Sequence, residues 1–163
     1  MNECGSEEVV NVGAFRVVSN PARLHCVGLG SCAAIILHDR IHRLGGLAHA
    51  MLPRYEEGHD KARPGKYVDT AIYLMVEELL EMGAARQGIV AKVVGGAQMF
   101  STVASDFLDI GARNIASSRQ ILKKEGIRII AEDVGGKQGR SLVFDVRTGG
   151  VLVTTGREST RSI

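Results

Sequence analysis

Cys32 and His49 are the two residues of this chain whose types and spacing suit nucleophilic catalysis. The segment between them predicts a β-hairpin, because the strand-forming stretch 33–38 and the returning stretch 44–52 are joined by a polar turn. A turn centred on residues 40–41 places Cys32 directly opposite His49 on one face of the sheet. Directly opposed residues have Cβ atoms roughly 4.5–5.5 Å apart. A thiol and an imidazole at that separation can exchange a proton, which is the start of a nucleophilic site.

Both residues also have an ordinary structural interpretation. A cysteine beside glycine at the start of a strand is more often a small buried residue than a nucleophile. A single histidine in an apolar strand is likewise more often part of the core. The predicted pairing is sensitive to register, since a slip of one residue would turn the two side chains to opposite faces. The opposition of a thiol and an imidazole is the feature that favours catalysis.

The run Gly28-Leu29-Gly30-Ser31 comes directly before Cys32. Glycine permits positive φ angles and close backbone approach, so this run predicts a tight turn that exposes the sulfur. The backbone N–H groups of Gly30 and Ser31 would then point toward a negative oxygen that develops on the substrate. We therefore expect these two residues to form an oxyanion-binding loop.

Two other glycine-rich turns, 95–97 and 135–140, do not match nucleotide-binding loops. The second lacks the Gly-x-x-x-x-Gly-Lys-Ser/Thr spacing of a phosphate loop, and no helical pattern follows it. A metal site is also disfavoured, because the candidate ligands form neither Cys-x-x-Cys nor His-Glu-x-x-His. These candidate ligands are His25, Cys26, Cys32, His42 and His49. We expect no metal and no cofactor.

Length and composition limit the class of protein. The 163 residues, 45% hydrophobic and 23% charged, are enough for one domain with an aliphatic core. The net charge of +2 and the lack of aromatic residues within the basic clusters disfavour nucleic-acid binding. The longest apolar run, residues 32–37, is too short for insertion across a membrane. A polar N-terminus unlike a secretory signal and only three cysteines favour a cytoplasmic location.

The periodicity of the sequence predicts two helices and a series of short strands. Helices are expected at 67–82 and 111–125, and strands at 14–19, 24–29, 33–38, 44–52, 89–94, 127–131, 142–146 and 151–154. Because strands and helices do not alternate regularly, we predict an α+β fold of two β-sheets packed face to face, with helices on the outer sides in α-β-β-α layers. Residues 1–155 are expected to form this single domain, and residues 156–163 a loose polar tail.

Six motifs occur in order within residues 12–155. They are Gly28-Leu29-Gly30-Ser31-Cys32, Ala48-His49-Ala50-Met51-Leu52-Pro53, Lys66-Tyr67-Val68-Asp69-Thr70-Ala71, Gly95-Gly96-Ala97-Gln98-Met99-Phe100, Ile110-Gly111-Ala112-Arg113-Asn114 and Ala131-Glu132-Asp133-Val134-Gly135-Gly136. Together they resemble CheD, the bacterial family of chemoreceptor glutamine deamidases. The resemblance implies a fold related to the deamidase domain of cytotoxic necrotizing factors and a Cys-His site at Cys32 and His49. It also implies chemoreceptor helices as substrate and the CheC phosphatase as a further partner.

One position departs from the family pattern. Six residues before the nucleophile, where the family has a threonine that orients the histidine as third member of a triad, this chain has Cys26. A thiol is a weak hydrogen-bond acceptor, so either a backbone carbonyl near Cys26 orients His49 or activity is reduced. Cys26 as a packed strand residue, and a disulfide between Cys26 and Cys32, are the remaining interpretations.

Four residues in loops near the expected site are candidates for contacting the substrate: Gly96, Met99, Phe100 and Arg140. Met99 and Phe100 fit a core position equally well. The expected reaction converts a glutamine side-chain amide into glutamate through a thioester on Cys32.

Two other functions are compatible with the sequence. A non-catalytic adaptor would bind receptors or the CheC phosphatase, with the triad degraded at Cys26. A cysteine hydrolase of another amide, such as a small-molecule amidase, would keep the thioester chemistry but act on a different substrate.

Overall fold

The computed structural model describes residues 5–99, 109–157 and 159–163, and these residues form ten strands and two α-helices. The strands are β1 Ser6–Val9, β2 Phe15–Ser19, β3 Ala22–Leu29, β4 Ala33–Asp39, β5 Leu44–Ala50, β6 Ile89–Gly95, β7 Arg128–Val134, β8 Arg140–Asp145, β9 Val151–Thr155 and β10 Ser159–Ser162. The helices are α1 Val68–Glu81 and α2 Ile110–Lys124, and single 3₁₀ turns cover Tyr55–Glu57, Pro64–Lys66 and Arg86–Gly88. Within the described ranges, neither helix combines the length and the apolarity that a membrane crossing requires.

The strands form two five-stranded sheets. Sheet 1 has the order β1-β3-β8-β9-β10, and sheet 2 has the order β2-β5-β4-β6-β7. Neighbouring strands are antiparallel except for the β1–β3 and β6–β7 pairs, which are parallel. The hairpin predicted between Cys32 and His49 is β4–β5, which lies in the middle of sheet 2.

The two sheets pack face to face around an apolar inter-sheet layer. Its buried residues are Val10, Ala22, Leu24, Cys26, Leu29, Ala34, Ile36, Leu47, Val94, Leu142, Phe144, Val146, Val151 and Val153. Strands β4 and β5 are buried along their whole length, because this layer covers one face and the helices cover the other. The predicted α+β fold with two packed sheets is therefore confirmed.

The position of the helices differs from the prediction, because both lie on the outer face of sheet 2. Helix α1 packs on β2, β4 and β5, helix α2 packs on β4, β6 and β7, and the two helices contact each other. Among the described residues no helix packs on the outer face of sheet 1, so the layers are α-β-β. That face mixes partly or fully exposed polar residues such as Arg23, His25 and Ser141 with the exposed apolar side chains of Val27 and Leu152.

The turn of the β4–β5 hairpin is longer than predicted. Asp39 pairs with Leu44, which leaves residues 40–43 as a four-residue turn. The Asp39 carboxylate accepts hydrogen bonds from the N–H groups of Ile41 and His42 at 3.0 and 3.1 Å. Aspartate favours turns through this kind of bond to backbone groups two and three residues ahead, and the bonds stabilise the longer turn.

The longer turn corrects the predicted register. His49 lies opposite Ala34, and not opposite Cys32. Side chains two residues apart along a strand point to the same face, and Cys32 stands two residues before Ala34. The cysteine and the histidine therefore lie on the same face of sheet 2. They are diagonal neighbours, a relation in which Cα atoms are roughly 7–8 Å apart.

The C-terminal residues form a strand, which corrects the expectation of a loose tail. Strand β10 pairs antiparallel with β9 at the edge of sheet 1. Ile163 exchanges two backbone hydrogen bonds with Val151, at 2.9 and 3.1 Å, and Arg161 Nε lies 2.9 Å from Asp133 Oδ2. Backbone hydrogen bonds need no apolar side chain, so the polarity of this segment did not prevent strand formation.

Candidate active site

Cys32 lies in the turn between β3 and β4, and this turn is held by its carbonyl groups. The carbonyls of residues 30–32 accept hydrogen bonds, in chain order, from the N–H of Ala97 (2.9 Å), from Nδ2 of Asn114 (2.9 Å) and from the N–H of Gly96 (2.8 Å). The carbonyls of all three residues are therefore anchored to the loop that follows β6 and to α2.

Glycine is required where the β6 loop approaches Cys32. Gly95 has a φ of +106°, and a Cβ there would overlap the carbonyl oxygen of Cys32. Gly96 has a φ of +63°, and a Cβ there would overlap the side chain of Ile115. Gly96, predicted as a substrate contact, thus anchors the turn that carries Cys32 through its N–H.

His49 lies on β5 with its side chain directed to the inter-sheet layer and only 1% exposed. Neither ring nitrogen has a hydrogen-bond partner among the described residues. Burial lowers the pKa of His49, and the nearby Val10 carbonyl opposes this shift without reaching hydrogen-bond geometry. The imidazole is therefore neutral at neutral pH and able to accept a proton.

Cys32 is partly buried and packs against the same inter-sheet layer. Burial raises the pKa of its thiol, while its own backbone N–H, directed at the sulfur, lowers the pKa in part. Because both ring nitrogens of His49 are unpartnered, the sulfur and the imidazole are not hydrogen-bonded to each other. The resting site thus holds a neutral thiol beside a neutral imidazole.

Cys26 is fully buried on β3 in the inter-sheet layer. Burial raises the pKa of its thiol to about 12, and the neighbouring Cys32 contributes to this rise. Both thiols are free. Residue Val10, whose N–H donates to the His25 carbonyl at 2.8 Å, runs beside this part of β3 and brings its own carbonyl toward His49. The Val10 carbonyl is therefore a backbone acceptor that lies close to Cys26 and to His49.

The predicted oxyanion loop has free donors. The N–H groups of Gly30 and Ser31 make no hydrogen bond to another described residue, while their carbonyls are both bound. Met99 lies across this turn: a Cβ on Gly30 would sit 3.4 Å from Met99 Cγ, and Met99 is 47% exposed. Phe100, the neighbouring candidate, lies outside the described residues.

Arg140, predicted as a substrate contact, is 8% exposed and bound by the protein itself. Its Nη1 donates to the Gly95 carbonyl at 2.8 Å, and its Nη2 donates to the Gly135 carbonyl. Its Nε lies 3.0 Å from Asp133 Oδ1 as an ion pair, although the N–H is not aligned for a hydrogen bond. The guanidinium therefore ties sheet 1 to the loop that anchors Cys32.

Two contributors to the site were not predicted as such: Val10 through its carbonyl, and Asn114 through its side chain. Asn114 is fully buried on α2, where a polar residue among apolar neighbours is the signal that could have identified it. A backbone carbonyl such as that of Val10 leaves no signal in the residue type.

The fold has a counterpart among solved structures. The crystal structure of a Neisseria meningitidis protein of family model DUF152 matches with a TM-score of 0.53, covering 85% of this chain and 74% of that chain. The sequences are 11% identical, so this likeness concerns the fold alone.

Sequence relatives are much closer. A family model described as CheD chemotactic sensory transduction matches residues 51–155. An Archaeoglobus fulgidus protein named probable chemoreceptor glutamine deamidase CheD is 46% identical over 153 residues, covering 94% of this chain and 96% of the relative. The Thermotoga maritima chemoreceptor glutamine deamidase CheD is 42% identical over 147 residues, covering 90% of each chain. The alignment with the Archaeoglobus protein covers 153 of the 163 residues of this chain, so it spans both Cys32 and His49. The chain belongs to the CheD family.

Proposed function

We propose that this protein deamidates glutamine side chains of chemoreceptors to glutamate, with Cys32 as nucleophile and His49 as general base. Membership of the CheD family supports the activity, because its relatives carry the name chemoreceptor glutamine deamidase. One observation carries the site assignment: the thiol and an unpartnered, buried imidazole share one face of the β4–β5 hairpin. A buried imidazole without a partner is rare, and proton transfer gives it a use.

The first half of the reaction forms a thioester. Rotation of the two side chains brings Sγ of Cys32 to a ring nitrogen of His49, since hydrogen bonds of catalytic groups often tighten only with substrate. His49 takes the thiol proton as the sulfur attacks the amide carbon, so that an S–C bond forms and the carbonyl electrons move to oxygen. The imidazolium then gives its proton to the departing nitrogen, which leaves as ammonia.

The second half of the reaction uses water. His49 removes a proton from a water molecule that attacks the thioester carbon, and the sulfur leaves with the proton that His49 returns. The products are a glutamate side chain and the original Cys32 thiol. One water is consumed and one ammonia released for each glutamine, and the receptor gains one negative charge.

The turn before Cys32 supplies the oxyanion donors. The N–H of Ser31 shares its peptide unit with the bound carbonyl of Gly30, and the N–H of Gly30 lies in the peptide unit directly before it, so both need little reorganisation when charge develops. Fixed donors directed at a developing oxyanion are a large contributor to catalysis of acyl transfer.

When the ring of His49 rotates toward the sulfur, the Val10 carbonyl would come within reach of its other nitrogen and would orient the ring in place of the threonine found in the family. A ring N–H directed to this carbonyl leaves the other nitrogen free to accept the thiol proton, which fixes the tautomer. The opposing effect of this carbonyl on the pKa of His49 supports that arrangement. Cys26 then packs beside the site without a chemical role.

The substrate and partners follow from the same family. A chemoreceptor helix would present its glutamine beside the exposed side chain of Met99. The CheC phosphatase would be a regulatory partner, and the cytoplasm, where the signalling helices of receptors are found, would be the location.

The direct test is incubation of the protein with a purified receptor signalling fragment, followed by peptide mass spectrometry. We expect specific glutamine peptides to gain the mass that accompanies replacement of NH₂ by OH, and Cys32→Ala to abolish the change. Receptor binding without conversion would contradict the proposal in favour of an adaptor. Turnover of small amides without conversion of receptor would contradict it in favour of another hydrolase.

A further inference from the structure

Asn114 joins the two segments that carry the reacting groups. Its side chain is fully buried on α2, and its Nδ2 donates to the Ser31 carbonyl at 2.9 Å and to the Met51 carbonyl at 3.0 Å. Ser31 directly precedes Cys32, and Met51 stands two residues after His49. One amide nitrogen therefore connects the entrance of β4 to the exit of β5.

We propose that Asn114 is a positioning residue that sets the separation of Cys32 and His49. This inference rests on the proposed function, because it concerns the same thiol and imidazole. The β4–β5 ladder begins at Ala33, so Cys32 itself lies beyond the paired part of the hairpin. Asn114 supplies a cross-link at the point where the ladder no longer fixes the distance between the two segments.

The hydrogen bonds of Asn114 define which atom performs this role. Both contacts are to carbonyl oxygens, so the amide must present its nitrogen to them. Its Oδ1 is buried without a partner among the described residues. An unpaired buried acceptor is unfavourable, so any stabilisation from this side chain comes from its two donors and not from its acceptor.

The neighbours of Asn114 on the same helix face show how closely α2 packs on the segments around the site. Gly111 and Ser117 stand three residues before and after it, so the three share one face of α2. A Cβ on Gly111 would sit 2.6 Å from the carbonyl oxygens of Gly96 and Ala97, which shows how closely the helix approaches the loop that anchors Cys32. Ser117 Oγ donates to the Pro53 carbonyl at 2.8 Å.

The experiment compares Asn114→Ala and Asn114→Asp with Ser117→Ala in the full chain. Asn114→Asp keeps the size of the side chain and removes both Nδ2 donors. Ser117→Ala is the matched control, because it removes a buried hydrogen bond between the same helix face and Pro53 but leaves the Cys32 turn and the cross-link to Met51 in place. Three quantities are measured for each variant: Tm, the kcat and KM of receptor deamidation, and the pH midpoint of Cys32 alkylation by iodoacetamide.

Both Asn114 variants should lose kcat by on the order of 100-fold, the cost of misplacing a reacting group by about 1 Å. KM should change little, and Ser117→Ala should retain kcat at a similar loss of Tm. Loosening of the turn should also admit water to the sulfur and move the alkylation midpoint of Cys32 down in the Asn114 variants only. Equal kcat losses in all three variants, or a midpoint that moves in none or in all of them, would overturn the proposal.

The rate of receptor deamidation and the alkylation midpoint of Cys32 separate this inference from the proposed function. If the unmodified protein fails to convert receptor glutamines, the proposed function fails. The alkylation midpoint then still decides whether Asn114 holds the Cys32 turn, because it needs no receptor and no turnover.

Discussion

The inter-sheet layer contains two buried histidines on adjacent strands, and their surroundings differ. His38 on β4 donates from Nε2 to the Val146 carbonyl at 2.9 Å, and its ring stands edge-on to Phe144 with centroids 5.8 Å apart. His49 on β5 has no hydrogen-bond partner for either ring nitrogen among the described residues. The two side chains are 6% and 1% exposed, so burial does not distinguish them.

Hydrogen bonding distinguishes the two histidines. Leaving a buried polar group unpaired costs about 1–3 kcal/mol, so an unpaired histidine calls for an explanation. His38 satisfies its ring within the fold and lies far along β4 from the nucleophile turn, which is the arrangement of a core histidine. His49 shares a face with Cys32 and has ring nitrogens without a partner in the described part of the chain, which is the arrangement of a proton acceptor.

The strongest test of this comparison removes each reacting group in turn. Cys32→Ala and His49→Gln are each expected to lower the rate of receptor deamidation by on the order of 10⁴-fold or more, because nucleophile and base act as one unit. His38→Leu should leave kcat unchanged and lower the free energy of unfolding by about 1–3 kcal/mol, since the Val146 carbonyl loses its donor. Mass-spectrometric rates and urea unfolding curves measure the two effects. A large loss of kcat in His38→Leu would break the distinction between the two histidines.

The elements that the sequence predicted well are those with long periodic patterns. Helices expected at 67–82 and 111–125 are found at Val68–Glu81 and Ile110–Lys124. The hairpin was also predicted, but its register was not, because the Asp39 side chain stabilises a longer turn. The layer order was wrong because tertiary packing decides which sheet a helix covers, and this choice leaves no local pattern in the sequence. Strand β10 was missed because its backbone hydrogen bonds leave no pattern in polar residues.

The candidate site shows the same division between local and tertiary information. Cys32 and His49 could be proposed as a pair from residue types and spacing, since the observed register differs from the predicted one by two residues and an even shift keeps them on one face. The role of Arg140 could not be predicted from the sequence. Two of its three partners are backbone carbonyls, and the third is a carboxylate on another strand. Asn114 was visible only as part of a motif, because its partners are main-chain oxygens of two other segments.

A second test uses what the two histidines have in common. Burial lowers the pKa of both rings, and for His38 the positive charge of Lys92 adds to that effect. As pH falls below about 6.5, the unfolded chain takes up protons that the folded chain does not bind. The free energy of unfolding should therefore fall by up to about 1.4 kcal/mol per pH unit for each histidine, while above pH 6.5 this contribution is fully present.

Urea unfolding between about pH 5 and 7.5 measures this slope. His38→Leu and His49→Gln should each reduce it, although only the second removes activity. An unchanged slope in either variant would show that the corresponding ring is not held neutral by burial.

The third and smallest effect concerns how each histidine is oriented. Val146 holds His38 through a backbone carbonyl, and the Val10 carbonyl is the corresponding group near His49. Cys26→Ala should therefore leave kcat nearly unchanged, because the thiol contributes no orienting bond. Cys26→Thr adds a hydroxyl that can accept from the ring, and should raise kcat by roughly 2- to 10-fold, the value of one net hydrogen bond.

Steady-state deamidation rates of the two Cys26 variants, compared at equal folded fraction, measure this effect. A large loss in Cys26→Ala would mean that the thiol itself orients His49. The parallel with His38 would then fail, because the two rings would be oriented by different kinds of group. A gain in Cys26→Thr without a loss in Cys26→Ala would instead show that a main-chain carbonyl suffices for orientation and that a hydroxyl improves on it.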